Sequence, residues 1–242
     1  MNGEASASGD DAISIMPVDR LDLRFAPRPW RFAMDRRREI DAFFADRQKL
    51  RSGMWNGRVL LMRDFSFTDG ALGGAFFETD YAAFYTWCSW GFPDRAVTNC
   101  FAAGALRSAD GAFVLGEMGP HTANAGHIYF PCGTPDPGDV AGSRVDLDGS
   151  VRRELFEEIG VGESDYHPDP GWFAIHAGPR IALIKVLRAH ESADLLSRRI
   201  DGYLAREAAP ELAGIRIVRS TVDFDPLMPT FVTAFLSHYW GR

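Results

Sequence analysis

Three glutamates on one short segment have the most specific chemical argument in this chain. Successive residues of an α-helix are rotated by about 100°, so Glu154, Glu157 and Glu158 fall within roughly a 100° arc. A separate apolar stripe of the same helix is formed by Val151, Leu155 and Ile159. Neighbouring carboxylates repel one another and resist full ionisation unless a cation lies among them. Because every ligand would be an oxygen, a hard ion such as Mg²⁺ is the expected cation.

A simpler interpretation of the same acids is a solvated helix face. Arg153 precedes Glu157 by four residues, which is the spacing of a stabilising ion pair on a helix surface. Taken alone, the helix fits this interpretation better than a metal site. We predict that Ser150 caps the start of the helix and that Gly160 ends it with a positive φ.

The segment resembles the Nudix hydrolases, whose signature runs G-x5-E-x7-R-E-U-x-E-E-x-G-U, with U an aliphatic residue. Residues 153–161 match every specified position of the second half of this signature. A glycine- and proline-rich loop, the helix and its glycine terminator also occur in the order that the family uses. The resemblance implies an α/β/α sandwich with a mixed sheet, and it favours a functional site over a solvated face.

The first half of the signature is present in an altered form. Gly133 is followed after five residues by Asp139, where the signature has Glu. Thirteen residues instead of seven separate Asp139 from Arg153, and the six extra residues fall within 140–147, which we interpret as a loop. Cys132 replaces the first glycine of the usual Pro-Gly-Gly, and we interpret it as a tolerated loop residue rather than a reactive thiol.

The resemblance implies hydrolysis of a nucleoside diphosphate linked to another moiety, such as a sugar, at its pyrophosphate. The reaction would depend on Mg²⁺, with Mn²⁺ as the alternative, because a metal neutralises phosphate charge and lowers the pKa of a bound water. The implied metal ligands are Glu154, Glu157, Glu158 and Asp139. The implied catalytic residues are Arg153, Glu154, Glu157 and Glu158. Arg153 would orient a glutamate by a charge-assisted hydrogen bond, whereas Asp139 fits a solvated loop acid equally well.

The residues that bind the substrate are harder to place. Gly133 would let the loop turn tightly near the phosphates. Arg180 precedes a predicted strand, where it would contact a phosphate or a sugar carboxylate or simply lie on the surface. Three aromatic residues fit a core better than a base-stacking platform: Trp87, Trp90 and Phe92. Some families of this type use a further glutamate as general base, and three candidates remain open: Glu191, Glu207 and Glu211.

The composition limits the partners and the compartment. With 242 residues, 46% of them hydrophobic, the chain can bury a substantial core. Its net charge of −7 argues against nucleic acid, whose phosphates require a basic surface, so we expect a small phosphorylated substrate. The sequence has no apolar run long enough for a membrane span and no signal-peptide order, and its three cysteines lack metal-site spacing. We therefore expect a cytoplasmic protein without a membrane partner, and we leave a homodimer open.

The predicted elements indicate an α/β fold in three parts. We expect a disordered tail over 1–15, a smaller α+β N-terminal region over 16–95 and a Nudix-like hydrolase domain over 96–242. Strands over 97–108 and 112–118 should form a hairpin, because a turn signal separates them. Mixed strands flanked by helices pack as an α/β/α sandwich.

Two functions remain open at this point. The first is the Mg²⁺-dependent pyrophosphohydrolase, and the intact run over 153–160 supports it. The additional N-terminal region weakly favours a nucleotide sugar or a similarly large substrate. The second is a non-catalytic Nudix-like module that binds a nucleotide or regulates another process, and the altered loop around Asp139 supports it.

Overall fold

The computed structural model describes residues 12–51 and 54–241, and these residues fold into two β-sheets with six α-helices. The strands are β1 Ser14–Val18, β2 Arg20–Phe25, β3 Arg58–Thr68, β4 Ala71–Asp80, β5 Asn99–Arg107, β6 Phe113–Met118, β7 Ile128–Tyr129, β8 Cys132–Gly133, β9 Val140–Ala141, β10 Arg144–Val145, β11 Tyr166–Pro168, β12 Trp172–Ala177, β13 Arg180–Ala189 and β14 Leu212–Val218. The helices are α1 Arg31–Asp35, α2 Arg37–Leu50, α3 Tyr81–Ser89, α4 Leu147–Ile159, α5 Ala193–Leu204 and α6 Thr230–Trp240. The predicted α/β fold class is thereby confirmed. None of the helices in this part of the chain is long and apolar enough to cross a membrane.

The larger sheet is mixed and carries the glutamate helix. Its main order is β1-β12-β13-β5-β6-β14, with β11 paired to β13, β7 to β6 and β8 to β5. Strands β5 and β13 are parallel, and their other neighbours are antiparallel. The predicted β5–β6 hairpin is present, but the two strands pair only near its turn, at Leu106 and Arg107. Further from the turn, β7 and β8 lie between them and bring Gly133 beside Ala102.

Helix α4 lies against β5 through its apolar stripe. Val151, Leu155 and Ile159 are all buried there. A Cβ atom at Gly104 of β5 would collide with Leu155, so the missing side chain is what allows the helix to approach the sheet. Burial of a leucine of this kind contributes about 2 kcal/mol. The acidic side of α4 faces β8, where the Glu154 carboxylate lies over Gly133.

The two ends of α4 differ in how well the sequence predicts them. Gly160 ends the helix with φ 65°, as predicted. The predicted N-cap at Ser150 is wrong: the helix begins one turn earlier, and the Asp146 side chain accepts a hydrogen bond from the Gly149 amide at 2.9 Å. Ser150 lies inside the helix and is fully buried. Asp146 is the stronger cap because its carboxylate lies where the free amides of the first turn point.

The smaller sheet has the order β3-β4-β2-β10-β9. Its aromatic core includes Trp30, Phe44, Phe77 and Trp87, which α1, α2 and α3 cover. The stretch 140–147, predicted as a loop, supplies β9 and β10, and the prediction is wrong there. Gly142 turns this hairpin with φ 62°, and Arg144 pairs with Arg24 of β2. Strands of two residues give no alternating pattern that a sequence could reveal.

The boundary predicted between the tail and the N-terminal region does not match the way the strands are divided between the two sheets. Residues 1–11 of the predicted tail lie outside the described residues. The prediction of disorder is wrong at Ser14 and Ile15, which pair with His176 and Ile175 of β12 because that edge offers unpaired backbone groups. Only Asp19 separates β1 in the larger sheet from β2 in the smaller one. A domain boundary near residue 95 stays a prediction.

Candidate functional site

Asp139 holds Arg153 rather than facing the helix acids. It ends a short 3₁₀ turn over 137–139 and is 6% exposed. Nη2 of Arg153 donates to both of its carboxylate oxygens, at 2.9 and 3.0 Å, and the amide of Asp136 donates to one of them at 3.0 Å. Both oxygens of Asp139 are therefore already used by donors in this arrangement, and metal binding by Asp139 stays a prediction.

The extra residues of the loop bring the chain back to Asp139. After the hairpin, the amide of Asp146 donates to the backbone oxygen of Asp139 at 2.8 Å. Asp146 then caps α4, so the 3₁₀ turn and the helix meet at one residue. This connection places the Asp139 carboxylate beside Arg153, in the second turn of α4.

Arg153 links the loop to the glutamates, as the sequence predicted for an orienting residue. Nη1 donates to Oε1 of Glu154 at 2.8 Å and lies 3.6 Å from Oε2 of Glu157. Burial alone would lower the pKa of Arg153, but its hydrogen bonds to Asp139 and the charge of Glu154 hold the pKa above its ordinary value. The guanidinium is therefore a fixed positive charge at the edge of the acidic group.

Glu154 lies directly over Gly133. A Cβ atom at Gly133 would collide with the Glu154 carboxylate, so this position needs glycine for close approach rather than for a positive φ. The Glu154 side chain is 14% exposed. Burial raises its pKa to about 7, and the charges of Glu157 and Glu211 add to the effect while Arg153 opposes it. The Gly133 loop therefore forms one wall of the acidic group.

Glu158 is the most buried of the three acids, at 5% exposed. Its Oε2 atom has no hydrogen-bond partner within the described part of the chain. Burial raises its pKa well above the ordinary value, and the charges of Glu211 and Glu154 raise it further. A hydrogen bond from the backbone of Cys132 acts in the opposite direction. Glu157 differs from both, because 60% of its side chain is exposed at the rim.

Glu211 is the acid that the sequence could not select. It directly precedes β14, and its backbone oxygen accepts a bond from the Gly119 amide at 2.8 Å. The residue is exposed, yet burial of its carboxyl still raises its pKa, His121 opposes this, and Glu157 adds to it. Of the other two candidates, Glu191 pairs with Arg199 at 2.9 Å, and Glu207 lies on the surface after α5. The pairing of β14 with β6, which no local pattern reveals, brings Glu211 to the site.

The acids have the donor chemistry of a divalent cation site. Buried carboxylate oxygens with raised pKa values, one of them without a partner, suit a hard cation. Within residues 12–51 and 54–241, however, no three Asp, Glu, His or Cys side chains converge closely enough to hold a metal ion as they are placed. Oε1 of Glu154 accepts a hydrogen bond from Arg153, and 60% of the Glu157 side chain is exposed.

No family model and no curated protein matches the chain. Several solved structures are similar to it, including two that the match covers over most of their length. One is a Nudix hydrolase from M. smegmatis, RenU, at 14% identity and a TM-score of 0.38, with 59% of this chain and 82% of that chain covered. The other is the MutT protein from Methanosarcina mazei Go1, at 16% identity and a TM-score of 0.38, with 60% and 94% covered. At these values the likeness says nothing about the reaction, which depends on the side chains.

Residues beyond the motif border the acids on the side of β7. The hydroxyl of Tyr129 accepts a bond from Nδ2 of Asn124 at 3.1 Å, and burial raises its pKa, followed by the charge of Cys132. The loop that carries Asn124 is attached to the end of α2, because Nη1 of Arg51 donates to the backbone oxygen of Ala123 at 2.7 Å. The first helices of the chain therefore help to hold a loop beside the carboxylates.

Arg180 lies outside the carboxylate group, at the start of β13. Its guanidinium carbon is 4.5 Å from the centroid of the Phe92 ring. Of the aromatic residues considered for base stacking, Trp87 is fully buried and donates to the backbone oxygen of Asp94 at 3.1 Å. Trp90 packs against Phe32 and Phe43. Both tryptophans therefore belong to the core of the smaller sheet.

Proposed function

We propose that this protein is a Nudix-type pyrophosphohydrolase, which hydrolyses a nucleoside diphosphate linked to another moiety at the pyrophosphate. The observation that carries the proposal is the acidic group on α4 facing the Gly133 loop. Glu158 has a buried oxygen without a partner, and Glu154 has a pKa of about 7 because it is buried. Such carboxylates are costly to keep charged unless a cation joins them.

Mg²⁺, or Mn²⁺ in its place, fits this set of oxygens. Glu158 and Glu154 would hold it with Glu157, once Glu157 turns inward, and Glu154 would do so with Oε2 while Oε1 keeps its hydrogen bond from Arg153. A cation here would neutralise the charge of the pyrophosphate and lower the pKa of a bound water. Asp139 is not part of this set.

The residues of the chain have separate tasks in the proposed reaction. Arg153, fixed by Asp139, orients the Glu154 carboxylate. Gly133 lets the loop backbone pass close to that carboxylate, and a phosphate would lie along the same loop. Glu211 is the proposed general base: its carboxylate takes the proton of the attacking water, and its raised pKa suits proton transfer near neutral pH.

A substrate panel tests the proposal. The purified protein with Mg²⁺ is incubated with nucleoside diphosphate conjugates of sugars and alcohols, and the release of a nucleoside monophosphate is measured. We expect turnover with at least one conjugate and a loss of about a hundredfold or more in Glu157→Gln and Glu158→Gln. Glu163→Gln is the matched control, because Glu163 lies just beyond α4, is 75% exposed and pairs with Arg152 at 3.4 Å. Turnover that survives in Glu158→Gln would contradict the proposed role of that residue.

A second candidate is a nucleotide-binding or regulatory module that does not cleave its ligand. The lack of three converging ligands within the described residues favours it. The same panel separates the two functions, because this module would bind conjugates without releasing a monophosphate. Binding without turnover across the whole panel, with both Mg²⁺ and Mn²⁺, would overturn the enzyme proposal.

A further inference from the structure

Glu211 lies among the acids of α4 without a hydrogen-bond donor to its side chain. Burial is the main cause of the raised pKa values of Glu154 and Glu158, and the charge of Glu211 contributes to both. The Glu211 carboxylate accepts no hydrogen bond within residues 12–51 and 54–241. A carboxylate with like charges around it is costly to keep ionised unless a donor or a cation faces it. The proposed general base therefore needs a partner.

His121 is the basic side chain that faces Glu211. Burial raises the pKa of Glu211, the charge of His121 lowers it, and the charge of Glu157 raises it. The other described groups that feel the charge of Glu211 are acidic or neutral: Glu154, Glu158, Tyr81, Tyr129 and Cys132. The ring of His121 forms no hydrogen bond within the part of the chain that the structure describes. Its nitrogens are therefore available to Glu211.

The ring of His121 lies over Gly119, which is bonded to Glu211. The amide of Gly119 donates to the backbone oxygen of Glu211 at 2.8 Å. A Cβ atom at Gly119 would lie 2.8 Å from that oxygen and 2.9 Å from Cε1 of His121. The missing side chain of Gly119 therefore lets the imidazole lie next to the backbone of Glu211.

The loop that carries His121 is fixed at several points. The amide and the hydroxyl of Thr122 both donate to the backbone oxygen of Gly119, at 3.1 and 2.9 Å, so the chain turns back over Gly119. At the next residue, Nη1 of Arg51 donates to the backbone oxygen of Ala123 at 2.7 Å. The imidazole therefore extends from a defined backbone.

The loop is attached on the side of the larger sheet that α4 covers. Gly104 of β5 faces α4, since a side chain there would collide with Leu155. Residues two apart in a strand share a face, and so do paired residues of neighbouring strands. The pairing of β5 with β6 and of β6 with β7 therefore places Tyr129 on this face. The hydroxyl of Tyr129 holds Asn124 of the loop, on the same side as the glutamates.

We propose that His121 is a positioning residue for Glu211: the imidazole donates a hydrogen bond to one carboxylate oxygen, and the other oxygen faces the attacking water. The inference rests on the proposed function, in which Glu211 is the general base. The two side chains are both exposed, and a rotation of the Glu211 side chain joins them. An imidazole carries an N–H donor whether it is neutral or charged. The proton of the water goes to Glu211, and His121 keeps its own.

Removal of the imidazole tests the proposal through kcat. With Mg²⁺ and the conjugate that turns over fastest, His121→Ala should lower kcat by about tenfold or more and change KM little, because His121 orients the base and does not hold the substrate. His121→Gln keeps a side-chain donor and should recover part of the loss. Imidazole added to the buffer should also restore part of kcat in His121→Ala, since this position is exposed. An unchanged kcat in His121→Ala would overturn the proposal.

His127→Ala is the matched control for the rescue by imidazole. His127 is an exposed histidine at the end of the same loop, and its Nδ1 lies 3.1 Å from the backbone oxygen of Asn124. Imidazole should not raise the turnover of this variant, because any loss there would come from a looser loop. An equal effect of imidazole on His121→Ala and His127→Ala would overturn the proposal.

A double-mutant cycle shows whether His121 acts through Glu211. Glu211→Gln alone should lower kcat by about a hundredfold, which is the effect of losing a general base. In that background, His121→Ala should lower kcat by less than about twofold, because residues that act as one unit are not additive. The same loss from His121→Ala in both backgrounds would overturn the proposal.

Failure of this pairing can be told apart from failure of the proposed reaction by NMR of the metal-free protein. The Cε1–H signal of His121 is assigned by its loss in His121→Gln. It should shift in Glu211→Gln by more than in Glu207→Gln, a matched change at an exposed acid on the surface after α5. A shift without turnover of any conjugate would support the pairing while the reaction proposal fails. Equal positions of the signal in Glu211→Gln and Glu207→Gln would overturn the pairing even where turnover is observed.

Discussion

Glu154, Glu157 and Glu158 share one turn of α4 but have different surroundings. Glu158 is enclosed and Glu154 is nearly so, whereas Glu157 lies in solvent. A shared helix turn therefore does not give the three acids the same chemistry. We expect the two buried acids to determine how the site responds to pH, and the proposed cation site requires the exposed one to move.

The buried acids make the stability of the metal-free protein dependent on pH. The pKa of Glu154 in the folded protein is about 7, against about 4.3 in an unfolded chain. The folded state therefore binds this proton more tightly, and the resulting stability is present at low pH and lost as the pH rises through 7. This carboxyl alone accounts for up to about 3 kcal/mol. We expect urea unfolding in EDTA to show lower stability at pH 8 than at pH 5.

Two comparisons check this expectation. Glu154→Gln should flatten the decline between pH 5 and pH 8, because the amide does not titrate. Mg²⁺ at pH 8 should restore part of the stability of the unmodified protein, since a ligand that binds only the folded state stabilises it. A decline of the same size in Glu154→Gln would show that other groups cause it.

A second prediction distinguishes two roles of Asp139, which are fixing Arg153 and binding a metal ion. Asp139→Asn removes the charge that fixes Arg153, so turnover should fall by about tenfold or more through misorientation of Glu154. The affinity for Mg²⁺, measured by calorimetry, should change little, whereas Glu158→Gln should weaken it clearly. Asp139→Glu restores the charge and should recover part of the turnover. A large loss of Mg²⁺ affinity in Asp139→Asn would show that Asp139 is a ligand after all.

The sequence predicts that the three glutamates lie on one helix, and the structure has them on α4, because their relation is local. It leaves Asp139 ambiguous, because the partner of a loop acid depends on where the loop returns. Glu211 could not be chosen over Glu191 and Glu207, since its place depends on pairing between distant strands.

At the level of elements, the start of α4 is the feature that joins the loop to the helix. Asp146 both caps the helix and bonds to Asp139, so one residue determines where the helix begins and where the acidic turn lies. The sequence favoured Ser150 as the cap because serine is a preferred N-cap residue. It could not show that the preceding hairpin places Asp146 one turn earlier.

The two residues can be compared by mutation. Asp146→Ala removes the cap and should lower the free energy of unfolding by about 1 kcal/mol. Ser150→Ala should change it by less than about 0.5 kcal/mol, because the buried Ser150 hydroxyl has no hydrogen-bond partner among the described residues. Urea unfolding measures both. A larger loss in Ser150→Ala than in Asp146→Ala would contradict the assignment of the cap.

At the scale of the whole molecule, the chain passes between the two sheets at two places. β1 and β2 are neighbours in sequence but belong to different sheets, and β9 and β10 join the smaller sheet from within the motif. The predicted elements indicated a separate N-terminal region, because this part of the sequence has its own predicted helix and hairpin. Pairing partners across more than 100 residues, such as Arg24 with Arg144, leave no local trace.

We expect the shared strands to make unfolding a single transition. Tryptophan fluorescence reports on Trp30 and Trp87 in the core of the smaller sheet and on Trp172 in the larger one, and far-ultraviolet circular dichroism reports on both sheets. Urea curves from the two methods should coincide. Two separate transitions would instead support an independent N-terminal domain ending near residue 95.

Asp139 and Asp146 lie on either side of the β9–β10 hairpin. A backbone hydrogen bond joins them, in which the Asp146 amide donates to the Asp139 oxygen at 2.8 Å. The hairpin therefore adds residues to the motif without moving Asp139 and Asp146 apart. The tip at Gly142 has open space around it, because only its two chain neighbours lie near the point where a side chain would begin. A fluorescent label or a short peptide tag inserted there would report on the neighbourhood of the carboxylates without separating Asp139 from Arg153.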